Sequence, residues 1–91
     1  MSRENKRREA VALRYDSERE GAPRVTAKGK GQTAENILQK ARENSIPVQK
    51  DSSLTGLLSQ LELNQTIPED LYQAVAEVFA FIYKIDKEAK S

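Results

Sequence analysis

Neither cysteine nor histidine occurs in these 91 residues. Without them the chain has no ligands for a structural zinc site. Disulfides, thiol nucleophiles and every catalytic arrangement that relies on a histidine base are excluded on the same ground. No apolar run approaches the ~20 residues of a membrane-spanning helix. The arginine-rich start is not followed by an apolar stretch, so it does not read as a secretory signal. An excess of one charge is missing too: 15 Lys and Arg face 14 Asp and Glu, a net charge of +1. What remains is 37% hydrophobic and 32% charged residues, in a length that buries roughly two-thirds of its surface as one compact domain. These features predict a soluble, cytoplasmic α/β-sized module with no metal and no cofactor, and speak against most enzyme classes.

The balanced total hides an uneven distribution. Residues 1–30 carry nine basic and five acidic side chains, whereas residues 31–91 carry six and nine. Much of the basic excess lies in Arg3, Lys6, Arg7 and Arg8. No apolar residue follows Met1 until Ala10, so residues 1–9 are expected to be a disordered basic arm. Four basic residues with no interleaved aromatics are a weak signal for nucleic acid, and no nucleic-acid partner is expected.

From Ala10 the pattern becomes regular. Val11, Leu13 and Tyr15 alternate onto one face, a strand that ends in the polar stretch 16–21. Ala22 precedes Pro23 and is held extended by it. Arg24-Val25-Thr26-Ala27-Lys28 reads as a second strand with Val25 and Ala27 inward. Ala34, Ile37, Leu38 and Ala41 then repeat at helical spacing, with Asn44 suited to a left-handed end and Pro47 forbidding continuation. Ile46-Pro47-Val48-Gln49 reads as a third strand. Asp51, Ser52 and Ser53 are helix-capping types before Leu54, Leu57, Leu58 and Leu61; Gly56 within this helix suggests a close neighbouring backbone. Leu61-Glu62-Leu63 is read as a brief fourth strand. Thr66 and Glu69 form a candidate capping box, with Pro68 near the start of the last helix. Leu71, Val75, Val78, Ile82 and Ile85 give that helix its seam. The order predicts an α/β fold: a small four-stranded mixed sheet flanked by helices, with a long C-terminal helix, a single domain over 10–86 and a frayed tail over 87–91. Core burial is the expected use of the last helix, and a monomer is the expected state.

One segment imitates a cofactor motif. Gly29-Lys30-Gly31-Gln32-Thr33-Ala34 is a literal G-x-G-x-x-A between a strand and a helix, and Asp51 follows near the distance of a ribose-binding acid. A small nucleotide-binding regulator is therefore an alternative reading. Against it, the preceding strand is polar on one face, unlike a buried parallel strand. Asp51 already has a structural use as a cap, and the chain is too short for a second nucleotide-binding half. A flexible strand-to-helix turn explains the glycines without a ligand.

Four blocks carry a resemblance to a known family. They are AVALRYD from Ala10, GAPRVTAKG from Gly21, A-R-E-N-S-I-P-V from Ala41 and IPEDLYQAVAEV from Ile67. In order and spacing the chain resembles the cytoplasmic domain of the FlhB/YscU/EscU family, the substrate-specificity switch proteins of flagellar and type III secretion export machines. The likeness runs from about Asn5 to Tyr83. It implies a four-stranded sheet flanked by helices and a non-enzymatic interaction module. Its implied partners are membrane gate proteins of the export apparatus and segments of export substrates. The implied location is the cytoplasm, with at most peripheral association at the inner face of the cell membrane. A soluble competitor of the export switch is a further alternative. Aligned with the family's apolar docking patch are Ala22, Pro23, Ala76 and Phe79. Ala76 and Phe79 lie beside the helix seam and suit either a surface groove or the core.

The chain departs from the family in two respects. It lacks the family's upstream membrane domain, so a stand-alone copy of the cytoplasmic fragment is expected. The family's self-cleaving Asn-Pro-Thr-His motif falls on Asn5, Lys6, Arg7 and Arg8, where only the asparagine is kept. In the family the asparagine side-chain nitrogen attacks its own carbonyl carbon, forming a succinimide and releasing the next residue's amine. Proline in second place has no N–H and blocks the competing attack that leads to deamidation. With Lys6 in that place, no self-cleavage is expected. Intact mass after prolonged incubation at neutral pH should show the uncut chain. Accumulation of a species lacking residues 1–5 in protease-free material would contradict this.

Overall fold

The computed structural model of the chain describes residues 8–15, 18 and 21–90, with side chains described up to Ile82. Two strands, β1 (Glu9–Arg14) and β2 (Arg24–Lys30), pair antiparallel from Glu9 opposite Lys30 to Arg14 opposite Arg24. The register shifts between Ala12 and Leu13. Three helices follow: α1 (Gln32–Glu43), α2 (Ser52–Leu58) and α3 (Tyr72–Lys90), the last entered through a 3-10 turn at Glu69–Leu71.

Strand alternation gives the sheet two different faces. Val25 is fully buried and clusters with Leu54, Leu58, Ile67 and Val75, while Val11, Leu13, Leu61, Leu71, Val78 and Phe79 pack around them. This is the main core, filled from α2 and α3. Ala10 and Ala34 are buried outside that cluster, and α1 packs against both strands. Small side chains here let α1 lie close to the sheet.

The expected four-stranded mixed sheet is corrected to two antiparallel strands among the described residues. Residues 46–49 join no strand, and Ile46 and Val48 are exposed. Pro47 has no N–H to contribute to a ladder. Residues 61–63 form a turn rather than a strand: Leu61 donates to Leu58 O at 3.0 Å and Gln65 to Glu62 O at 3.1 Å. Extended pairing begins just beyond it. Asn64 donates to Val25 O at 2.7 Å, Val25 to Gln65 O at 3.0 Å and Ile67 to Pro23 O at 2.8 Å, with Thr66 bridging to Arg24. The edge segment exists, but it lies a few residues later and forms only an isolated bridge.

Helix ends show where side-chain chemistry was decisive. Asp51 caps α2 as expected, its Oδ1 accepting from Leu54 N at 3.0 Å. The left-handed residue after α1 is Ser45, with φ 56°, not Asn44. Ser45 N donates to Arg42 O and Ile46 N to Ala41 O, the paired closure of a Schellman end. The capping box at Thr66 does not form: no side chain caps the 3-10 turn, and Thr66 is engaged at the strand bridge. Gly56 has no atom within 4 Å of an added Cβ, so no close backbone explains it. Lys28 closes the other end of α2, its Nζ donating to Ser59 O at 3.0 Å and Leu61 O at 2.7 Å.

β1 begins at Glu9, and Arg8 O already accepts from Gly31 N at 2.8 Å, so residues 8 and 9 belong to the fold. The helical backbone of α3 continues to Lys90, past residue 86.

Ile67 joins the edge bridge to the core and is 2% exposed. Ile67→Ala should cost about 3 kcal/mol, within the range for truncating a buried isoleucine. Urea unfolding followed by circular dichroism measures this; a loss below about 1 kcal/mol would mean the site collapses around the cavity.

Candidate docking site

Pro23 is half-buried, and its carbonyl is held by Ile67 N–H. Ala22 beside it is buried. The strand register ends with Arg14 opposite Arg24; Tyr15 follows the one and Pro23 precedes the other. Tyr15 lies beyond the end of β1, half-exposed, with its ring 6.1 Å from that of Phe79 and tilted by 38°. Phe79 in turn packs against the core cluster from α3. One turn earlier on that helix Ala76 is exposed, and Tyr72 is exposed a turn before it. Positions 72, 76 and 79 share a helix face. Tyr15 and Phe79 are thus in ring contact, and Ala76 and Tyr72 extend the same face of α3.

Of the four residues expected in a docking patch, Ala76 is exposed, Pro23 and Phe79 are half-buried, and Ala22 is buried. Ala76 is not a core residue; Phe79 serves both core and surface. Tyr15 and Tyr72 were not among the expected residues. Tyr15 stood in the alternation of Val11 and Leu13, but that pattern says only which face it shares, not that it meets Phe79. Tyr72 could have been found four residues before Ala76.

The other singled-out residues have different uses. Asn5, Lys6 and Arg7 lie outside the described residues. Arg8 pairs with Glu35 at 3.2 Å (Nε to Oε2), which ties the start of β1 to the first turn of α1. In the glycine loop, a Cβ on Gly29 would sit 2.6 Å from Thr33 Cβ, so Gly29 is there for the close approach of α1. Gly31 has φ 59° and its N–H is bound to Arg8 O. Both glycines are accounted for by the turn. Among the described residues no group of His, Cys, Asp or Glu could hold a metal ion, and no helix is long and apolar enough to cross a membrane.

Fold and surface together define a small α/β domain whose last helix and strand ends border an aromatic-walled apolar face. The chain belongs to the FlhB HrpN YscU SpaS family, whose family model matches residues 5–82. It is 48% identical over 84 residues to the uncharacterized protein YlqH of Bacillus subtilis (strain 168), covering 92% of this chain and 90% of YlqH. It is 39% identical over 79 residues to the flagellar biosynthetic protein FlhB of Escherichia coli (strain K12), covering 86% of this chain but 21% of FlhB. The chain therefore spans about a fifth of the FlhB relatives it matches. The crystal structure of the cytoplasmic domain of FlhB from Shewanella putrefaciens superposes with a TM-score of 0.86 at 36% identity, covering 90% of this chain and 68% of that one. The PscU C-terminal domain superposes with a TM-score of 0.77 at 33% identity, covering 81% and 95%.

The structural account of the loop is open to direct test. Gly29→Ala should destabilise the fold by roughly 1–3 kcal/mol, the scale of overpacking. Adding Thr33→Gly should recover part of the loss in the same urea titration. Independent, additive effects would show that the two residues do not oppose one another.

Proposed function

We propose that the chain is a non-enzymatic docking module of a flagellar or related type III export apparatus. It acts in the cytoplasm, where it binds extended segments of export substrates or of the membrane gate. The observation that carries this reading is the exposure of Ala76 on α3, flanked on one helix face by Tyr72 and Phe79 and backed by Tyr15. A small residue between aromatic rings makes a shallow seat for one apolar side chain. Pro23 borders that seat with a backbone already fixed in φ, so docking there costs little ordering entropy. Family membership supports the export setting, since the named relatives are flagellar biosynthetic proteins. The contact area is small, which favours modest affinity and ready release of one segment before the next.

Ala76→Asp tests this directly. The side chain is exposed, so stability should change by no more than about 0.5 kcal/mol. Binding of N-terminal peptides from flagellar export substrates, or of gate segments, should fall at least about tenfold, because a carboxylate in the seat must be desolvated. Circular dichroism and a binding isotherm on the same sample decide it. A folded variant that binds as well as the parent chain would place docking elsewhere.

A further inference from the structure

Charge divides the apolar face into two unlike margins. No lysine or arginine occurs between Lys50 and Lys84, whereas Asp51, Glu62, Glu69, Asp70 and Glu77 all do. Glu69 and Asp70 are exposed in the turn that leads into Tyr72, and Glu77 is exposed next to Ala76. Gln73 on the same stretch donates to Glu77 Oε2 at 3.4 Å and brings no positive charge. The helix margin of the seat is therefore acidic. The strand margin is different: Arg14 and Arg24 stand opposite one another in register, with Arg24 Nη1 donating to Asn64 O at 2.9 Å.

From this asymmetry we infer that the seat selects an extended peptide segment whose apolar anchor is flanked by lysine or arginine, the basic side chains lying along α3 against Glu69, Asp70 and Glu77. The inference rests on the docking reading above and specifies its ligand. The anchor's apolar body fills the depression at Ala76. Its basic neighbours reach carboxylates that are already placed within a turn or two on either side. Each such pair is solvent-exposed and weak, so the charges discriminate between segments, and the apolar anchor supplies the common part of the affinity. A segment with acidic flanks meets like charge along the whole helix margin and is rejected.

Two short Gly/Ser peptides, each with a single leucine, provide the test. One carries lysines beside the leucine and the other glutamines at the same places. Fluorescence anisotropy against the full chain should show the lysine peptide binding about fivefold more tightly. That preference should vanish in the combined Glu69→Gln, Asp70→Asn, Glu77→Gln variant, and in about 0.5 M salt, where surface charges are screened. Glu43→Gln, on α1, should preserve it. Equal affinities, with both peptides lost on Ala76→Asp, would overturn the charge selection and leave the docking reading standing. Failure of both peptides to bind would remove both readings. A dimer in sedimentation that Ala76→Asp dissociates would assign the face to a second copy of this chain and likewise overturn the inference.

Discussion

Everything in this domain hangs on how Val25 is held. Its side chain is fully buried, and both of its backbone polar groups are taken by the segment at 64–65. A buried strand residue with an unpaired N–H or C=O would forfeit a few kcal/mol in desolvation, so the edge segment is as necessary as the apolar contact. Pairing on that edge continues to Pro23 and Ile67, which places Ile67 in the core and fixes where α3 begins. Val75 and Phe79 then pack back on the same cluster. Strand end and helix are thus set relative to one another by three backbone hydrogen bonds and a small apolar core. The surface between them is a by-product of that closure.

The helices were legible in the sequence and the strands were only partly so. Apolar residues three and four apart survive as a pattern in α1, α2 and α3 because each helix turns one stripe towards the fold, with Ala34, Leu54 and Leu58, and Val75 buried in turn. Asp51 was legible as a cap for a similar reason: its role is local. Residues 46–49 show the limit. A short apolar run around a proline has the composition of a strand, but a strand is defined by a partner, and no sequence window contains one. Residues 61–67 show it again, since the pairing there depends on Asn64 at φ 68° turning the chain back onto β2. Thr66 has the spacing of a capping box, yet it is drawn into the strand bridge before a helix can use it. Tertiary pairing overrides local propensity at both places.

The candidate site was legible only through family resemblance, which singled out Pro23, Ala76 and Phe79; the fold leaves Ala76 exposed on α3, packs Phe79 against the core and half-buries Pro23. The aromatic walls did not come with them, because Tyr15 and Tyr72 are separated by 56 intervening residues and meet this face from different elements. Tyr15 meets Phe79 from beyond the end of β1, across a tertiary contact that no local pattern contains. The glycine loop teaches the opposite lesson. Its motif is complete as text, yet Gly29 answers to Thr33 and Gly31 to Arg8, and the loop needs no ligand to explain it.

Phe79 ties the surface to the stability of the whole domain. Its ring packs on the core from one side and on Tyr15 from the other. Eight apolar residues are buried among those described, and three of them are alanines, so the core is thin for a chain of this length. Covering the Tyr15–Phe79 pair with a ligand removes further apolar surface from water at the point where core and surface are continuous. A segment that binds only the folded state raises its stability by mass action, and here it also shields the contact between β1 and α3. Under the docking proposal, the same residues leave the empty domain less stable than the occupied one, because Phe79 belongs to both the core and the proposed seat.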